Sequence, residues 1–317
     1  MKHNTKTVLL LTFFLLGCGF MSCQKNLSKS RNTDIITDHL FENGIFVQGN
    51  SSANPQPYVH LHPFGKGKET PLWCLPQWGS RNILTDGTSQ INNDTIIYQN
   101  SAKRIYFYRT KDHSTLIGLE VFASSEYNEP RKLNEDWVHL LLEQKYSDFV
   151  WLKNANQLEY RIKAKLNFCE NRMGDNFDPG LHTAQITQFF TIQNRNESSS
   201  HFGDFLWFGL PLYDYRYRNI EQYAERDLGK DDASKKFIFS VAGEELYQGS
   251  MHDYQWITIA KDIFPLIKKA FFTAQNRGYM QGTTFDELCI TSMNIGWEVP
   301  GTFNCGIVFE CPSLIAR

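Results

Sequence analysis

The segment Leu158-Glu159-Tyr160-Arg161-Ile162-Lys163-Ala164-Lys165-Leu166-Asn167-Phe168-Cys169 alternates between apolar and polar side chains over most of its length. A period of two residues places successive side chains on opposite faces of a β-strand. The pattern predicts a strand with Leu158, Tyr160, Ile162, Ala164, Leu166 and Phe168 on its buried face. Such a strand needs a second apolar layer to pack against, which already favours a layered β fold.

Other segments of the chain also predict strands, because they are short, apolar or alternating, and rich in β-branched or aromatic residues. They are residues 104–109, 116–122, 137–144, 183–193, 205–213, 237–241, 289–294 and 303–309. Helical spacing stands out once, after Asp262, and Gly278 suits the end of that helix. We therefore predict an all-β fold, in which two antiparallel sheets form a jelly-roll sandwich with one short α-helix near the C-terminus.

Three segments carry a resemblance to secreted bacterial proteins of glycan-degrading systems. They are Trp137–Gln144, Phe205–Asp214 and Asn294–Phe303. The resemblance implies a lipoprotein of glycan-utilisation type with a concanavalin A-like lectin/glucanase jelly roll, and it brings no assigned activity. The ExDxxE arrangement of laminarinase-like jelly-roll hydrolases is missing from the chain.

The N-terminal segment predicts export. A basic start precedes a short apolar run at residues 8–16, which is typical of a secretory signal peptide, here expected over residues 1–23. Leu15-Leu16-Gly17-Cys18 resembles a bacterial lipobox, which implies lipidation of Cys18, and Cys23 is a weaker alternative. An ordinary cleaved signal peptide with a chance cysteine remains open. The lipobox implies a lipid-anchored protein of the cell envelope, on the outer membrane and facing the periplasm or the outside.

The rest of the chain predicts a tether and one domain. Residues 24–40 are polar and predict a flexible tether, and residues 41–317 predict a single β-sandwich domain. Lysine and arginine number 32 against 34 aspartates and glutamates, a net charge of −2. This balance gives no support to a nucleic-acid partner. The five cysteines after the signal peptide lack zinc spacing and are interpreted mostly as small buried hydrophobes.

One strand face carries the main candidate site. Trp137, His139, Leu141 and Glu143 share a face of the predicted strand at 137–144, and we expect that face to open into a trough. There an aromatic ring can stack on a sugar, while imidazole and carboxylate bind hydroxyls or transfer protons. The alternative is that His139 and Glu143 are satisfied inside a polar patch.

Other strands contribute further candidates. Asp214 and Arg216 are predicted on one face of their strand, with Trp207 and Tyr213 on the other, although the two charged groups could simply pair in a turn. Glu298 follows Trp297, which is interpreted as core. The predicted carbohydrate-binding set is Trp137, His139, Glu143, Asp214, Arg216 and Glu298, and the catalytic candidates are Glu143, His139 and Glu298.

Metal ligands are weakly indicated. Asp175, Asn176 and Asp178 form a loop of oxygen donors that could bind calcium, with an Asx turn as the alternative. His60 and His62 share one strand face but lack a third ligand. No cofactor is therefore predicted.

Three functions remain open from the sequence. The first is an envelope lipoprotein that binds a carbohydrate or glycoconjugate on the aromatic and polar face. The second is a glycoside hydrolase or polysaccharide lyase acting there, and the third is a structural envelope protein without a small ligand.

Overall fold

A computed structural model of the protein describes residues 33–49, 57–85, 90–92, 94–228 and 234–317. The predicted signal peptide, Cys18, Cys23 and residues 24–32 of the predicted tether lie outside the described residues. No helix within these ranges has the length and apolar character that crossing a membrane requires.

Two nine-stranded sheets build the fold, and their strands are numbered in chain order. The first sheet contains β1 (Thr33–Asp34), β5 (Gln90–Asn92), β6 (Thr95–Gln99), β7 (Lys103–Arg109), β8 (Thr115–Phe122), β10 (Leu158–Asn171), β15 (Ile257–Asp262), β17 (Phe303–Glu310) and β18 (Ser313–Ala316). The second sheet contains β2 (Ile45–Gln48), β3 (Pro57–Leu61), β4 (Trp73–Leu75), β9 (Val138–Trp151), β11 (Gln185–Asn194), β12 (Phe205–Asp214), β13 (Tyr223–Arg226), β14 (Phe237–Ser240) and β16 (Leu288–Val299).

Antiparallel pairing dominates both sheets. The first sheet has the order β1-β18-β10-β17-β8-β7-β6-β5, with β15 also paired to β10. The second has the order β13-β14-β12-β11-β16-β9-β4-β2-β3, in which only β2–β4 and β12–β14 are parallel among the described pairs. The predicted all-β jelly-roll sandwich is confirmed.

The predicted helix is present as α1 (Phe264–Asn276). The Asp262 carboxylate accepts a hydrogen bond from the Phe264 amide at 3.1 Å, which satisfies one donor of the first turn. Gly278 takes a left-handed conformation, φ +85°, just after the helix ends. Gly278 therefore lies where the sequence predicted the end of the helix, whereas Asp262, predicted to cap its start, lies one residue before the N-cap residue Ile263.

The core lies between the two sheets. On β10, Leu158, Tyr160, Ile162, Ala164 and Leu166 are buried in it, as the alternation predicts. Phe168 departs from this pattern and points away from the core. Asn167 is a β-bulge, an extra residue with no partner on β17, and it reverses the alternation of the residues after it. The Phe168 ring stacks on Phe122 with 6.1 Å between ring centroids, and neither residue belongs to the core.

Trp297 of β16 connects the two sheets by a hydrogen bond. Its side chain is fully buried, and its indole Nε1 donates to the Leu119 carbonyl of β8 at 2.9 Å. A buried indole N–H needs such a partner. The interpretation of Trp297 as core is confirmed.

The folded body begins earlier than predicted. Strand β1 pairs with β18, and Ile35 and Ile36 are buried in the core. The Asp34 carboxylate accepts a hydrogen bond from the Leu314 amide at 2.9 Å. Residues 33–40 are therefore part of the sandwich, and the expected tether up to residue 40 is wrong for this part. The two isoleucines supply the apolar surface that fixes the segment.

Candidate functional site

A single row of polar side chains crosses four strands of the second sheet, on the face that points away from the core. The register of β9, β16, β11 and β12 places His139 opposite Glu298, Glu298 opposite Gln185, and Gln185 opposite Asp214. We call these four residues the end row. Directly opposite residues have Cβ atoms about 4.5–5.5 Å apart, so neighbouring members can share a ligand.

The predicted site residues are thus partly brought together. His139, Asp214 and Glu298 belong to the end row, with Trp137 two residues before His139 and Arg216 two residues after Asp214. Glu143 lies elsewhere, because it is opposite Asn294 of β16.

His139 is held in an aromatic stack. The rings of Trp78 and Trp137 each lie 5.7 Å from its imidazole, centroid to centroid, and the Arg131 guanidinium lies 4.7 Å from the Trp137 ring centroid. Nδ1 is 3.0 Å from the Trp137 carbonyl and 3.2 Å from the Trp78 carbonyl. Because carbonyls only accept hydrogen bonds, we assign a ring hydrogen to Nδ1.

Glu298 and Gln185 form the accessible centre of the end row. Both side chains are half-buried, and the Gln185 amide Nε2 donates to Glu298 Oε2 at 3.1 Å. A carboxylate and an amide side by side offer both acceptors and donors to the hydroxyl groups of a ligand.

Asp214 is occupied by protein donors. Its Oδ1 accepts from the Thr183 hydroxyl at 2.7 Å, and Arg216 binds both carboxylate oxygens. The hydrogen bonds to this carboxylate raise the pKa of the Arg216 guanidinium. The contacts match the alternative interpretation, an ion pair that closes the turn after β12.

Glu143 is poorly placed to act with Glu298. The two carboxylates belong to neighbouring strands, but their register positions differ by four residues, about 13 Å along the strand. Lys145 Nζ lies 3.1 Å from Glu143 Oε1, an ion-pair distance without hydrogen-bond alignment. Retaining glycosidases need two carboxyls about 5–5.5 Å apart, and the register does not bring these two residues to such a position.

The expected open trough along β9 is wrong for three of its four side chains. His139, Leu141 and Glu143 do face away from the core, but their exposed fractions are 6%, 2% and 6%. Trp137 is half-buried. The more accessible part of this face lies on β11, β12 and β16, where Thr187 and Ser292 are also half-buried.

Three aromatic side chains that the prediction missed lie on this accessible part. Phe189, Phe205 and Trp207 are half-buried, with ring centroids 6.2 Å apart for Phe189–Trp207 and 5.3 Å apart for Phe205–Trp207. We call them the aromatic strip. A bulge at Leu212 reverses the alternation of β12, so Trp207 shares the face of Asp214 instead of the opposite one. Pro211 was the available signal, since proline inside a strand often marks a bulge.

The predicted calcium loop has the geometry of a turn. Asp178 Oδ1 accepts from the Gly180 amide at 2.8 Å, which is an Asx turn, and the Asp178 amide donates to His182 Nδ1 at 3.0 Å. Asp175 and Asn176 lie in the preceding short 3-10 turn. Within the described ranges, no group of three or more His, Cys, Asp or Glu side chains could hold a metal ion.

The His60–His62 pair shows like-charge coupling. The two ring centroids are 6.0 Å apart. Burial lowers the pKa of His62, and the neighbouring His60 and Lys66 lower it further. A third ligand is not placed beside them among the described residues.

Known proteins resemble this chain in fold only. No family model matches the chain, and no curated protein matches it. Solved structures with a similar fold include the family 12 xyloglucanase from Bacillus licheniformis (10% identity, TM-score 0.41), whose match covers 73% of this chain and 97% of that one. Endoglucanase Cel12A from Rhodothermus marinus has 7% identity and a TM-score of 0.39, with 77% and 99% covered. The catalytic domain of Humicola grisea Cel12A has 10% identity and a TM-score of 0.39, with 72% and 95% covered.

Proposed function

We propose that the protein is an exported envelope lipoprotein that binds a carbohydrate on the outer face of its second sheet. The observation that carries the proposal is the juxtaposition of the aromatic strip with the end row on one face. Aromatic rings pack against the apolar faces of sugar rings, while carboxylate, amide and hydroxyl side chains bind sugar hydroxyls.

Strand β11 joins the two parts of the proposed surface. Gln185, Thr187, Phe189 and Thr191 occupy alternate positions on it and pair with the outer face of β12 and β16. From Gln185 to Thr191 the strand runs about 20 Å, at about 3.3 Å per residue. A surface of this length fits an extended oligosaccharide better than a single sugar.

Space for Phe189 depends on the residue opposite it. Gly209 of β12 is its partner, and a Cβ atom at Gly209 would lie 2.8 Å from the Phe189 ring. Real Cβ atoms do not approach a ring so closely, so the absence of a side chain there lets the ring lie along the sheet. The glycine therefore makes room for an accessible ring on the outer face and not for a core side chain.

Binding without turnover is favoured over hydrolysis because the acidic side chains of the face are not arranged as a catalytic pair. Asp214 is held by Arg216 and Thr183, and Glu143 is buried four register positions from Glu298. A glycoside hydrolase or polysaccharide lyase acting here, or an envelope protein without a small ligand, is the competing function.

The test uses the full chain, exported from a bacterial host and purified in detergent. Neutral and acidic oligosaccharides are titrated against it by calorimetry, and the same mixtures are assayed for reducing ends and unsaturated products. We expect saturable binding to at least one glycan class and no product. Trp207→Ala and Phe189→Ala should each weaken binding at least about fivefold, as loss of a central aromatic contact does.

Trp256→Ala is the matched control, since Trp256 is 40% exposed and precedes β15 of the first sheet. It should leave the affinity unchanged. Wild-type protein that binds no glycan, or a Trp207→Ala variant that binds normally, would contradict the proposed surface. Release of a product would show instead that the protein is a glycoside hydrolase or polysaccharide lyase.

The lipid anchor is tested separately by labelling cells with a clickable fatty acid. Cys18→Ser should abolish incorporation, and Cys23→Ser should not. Label retained in Cys18→Ser and lost in Cys23→Ser would move the anchor to the second cysteine.

A further inference from the structure

Two cysteines far apart in the chain lie directly opposite each other in the first sheet. The register of β10 with β17 pairs Cys169 with Cys305. The bulge at Asn167 is responsible, because the extra residue turns Cys169 toward the core, where Cys305 is fully buried. Cys169 itself is half-buried and packs against the same core.

The pairing satisfies the Cα–Cα distance requirement for a disulfide. Directly opposite residues of an antiparallel pair have Cα atoms about 4.5 or 5.5 Å apart. Disulfides bridge Cα atoms about 4.4–6.8 Å apart. The two thiols are also close enough to interact, since the neighbouring Cys169 adds to burial in raising the pKa of Cys305.

We propose that Cys169 and Cys305 form a disulfide bond when the protein folds in an oxidising compartment. The proposal rests on the export part of the proposed function, because thiols stay reduced in the cytosol. It is independent of carbohydrate binding. It also replaces the interpretation of these two cysteines as buried hydrophobes.

The oxidant is a second disulfide, either of a thiol oxidoreductase or of a small molecule such as oxidised glutathione. The Cys169 thiolate attacks it, forms a mixed disulfide and releases one thiol. Cys305 then attacks the Cys169 sulfur and releases the second thiol. Two hydrogens and two electrons pass from the protein to the oxidant, which is reduced to two thiols.

The timing of this reaction follows from burial. In the packed sandwich, burial raises the pKa of the Cys305 thiol well above its usual value, so little of the reactive thiolate is present. The second step is therefore fast only before β17 packs. We expect the bond to form during folding, and slowly or not at all in the folded reduced protein.

Cys74, Cys289 and Cys311 have no such partner among the described strands. Cys74 is opposite Glu143 of β9 and Phe46 of β2, and Cys289 is opposite Gln193 and Trp151. Cys311 follows the last residue of β17. All five cysteines are free thiols in the structure, and among the described strands only Cys169 and Cys305 are register partners of each other.

The test is peptide mapping of the full chain after refolding with oxidised glutathione, with free thiols blocked by alkylation before digestion. Chymotryptic cleavage after Phe168 and Phe177 isolates Cys169, and cleavage after Phe303 and Phe309 separates Cys305 from the other cysteines. We expect one cross-linked pair of peptides, 169–177 with 304–309, that separates on reduction. Both peptides recovered fully alkylated, or Cys305 bridged to another cysteine, would overturn the proposal.

Cys289→Ser is the matched control and should leave the cross-link intact. In Cys169→Ser the 304–309 peptide should be recovered without its cross-link. Because refolding in vitro needs no export, this arm tests the pairing alone. The same mapping on protein taken from the cell envelope tests export: a cross-link in vitro with free thiols in the envelope protein would refute an oxidising location and leave the pairing standing.

Discussion

The Arg216 guanidinium donates hydrogen bonds to both carboxylate oxygens of Asp214, from Nη2 to Oδ2 at 2.7 Å and from Nε to Oδ1 at 3.0 Å. The Arg216 backbone amide adds a third hydrogen bond to Oδ1 at 2.9 Å. One residue pair thus closes the turn that ends β12. This arrangement makes the pair part of the scaffold of the site and not a free ligand-binding group.

Arg216→Ala should therefore destabilise the protein by about 1.5–3 kcal/mol, because it leaves a buried carboxylate without its charged donor. Urea unfolding measures the change. Arg218→Ala is the control, since Arg218 pairs with Asp253 at the surface and should cost less than about 1 kcal/mol. Equal stability of Arg216→Ala and wild type would show that the turn does not need the pair.

Glu298→Gln should weaken glycan binding about tenfold, which corresponds to about 1.4 kcal/mol for a lost charged acceptor. Calorimetry measures the affinity. Glu143→Gln should leave binding unchanged, since Glu143 is only 6% exposed. The opposite ranking of the two variants would place the ligand over β9 and not over β11.

Lys103→Met should cost about 3–5 kcal/mol, the usual effect of removing one partner of a buried ion pair. Lys103 and Glu126 are both fully buried and in contact, and Lys103 Nζ also donates to the Asn82 carbonyl at 2.7 Å. Glu126 in turn accepts from the backbone amides of Arg81 and Asn82, at 2.8 and 2.7 Å. Denaturant titration gives the cost, and a loss below about 1 kcal/mol would show that the Glu126 carboxylate is satisfied without lysine.

Glu287 should make stability fall in acid. Hydrogen bonds from the Thr284 amide and the Asn196 side chain lower its pKa below the ordinary 4.5. The folded protein therefore binds the proton less readily than the unfolded chain. The stabilisation is complete above pH 4.5 and is lost as the pH falls through the folded-state pKa.

Comparison of Glu287→Gln with wild type isolates this effect. The variant should be about 1 kcal/mol less stable at pH 7, because a glutamine amide cannot accept at both positions where Glu287 Oε1 and Oε2 accept from Asn196 and Thr284. The difference should shrink toward pH 3. Urea titrations at several pH values measure it. Asp286→Asn, at the exposed neighbouring residue, is the control and should change the stability by less than about 0.5 kcal/mol at pH 7. A pH-independent difference for Glu287→Gln would refute the linkage.

Much of the fold was predictable because alternation reports burial directly. Leu158 through Leu166 and the helix from Phe264 both follow patterns that depend on near neighbours in the chain. The errors at Phe168 and Trp207 have one physical cause. A bulge shifts the alternation by one residue, and its position depends on the partner strand, which a single sequence does not reveal.

The candidate site was predicted only in part for a related reason. His139, Glu298 and Asp214 fall in one row because β9, β16, β11 and β12 are consecutive in the sheet, although far apart in the chain. Strand order depends on long-range pairing. Burial of Glu143 beside Lys145 likewise depends on the surroundings of the strand and not on its own sequence.

The junction of β1 with β18 constrains how the chain reaches its native state. The hydrogen bond between Leu314 and Asp34 joins residues 280 positions apart. The first sheet therefore stays incomplete until synthesis has passed its final strand, and contacts of such long range form slowly. For the export that we propose above, this delay is useful, because a sandwich that is still incomplete can cross a membrane as an unfolded chain.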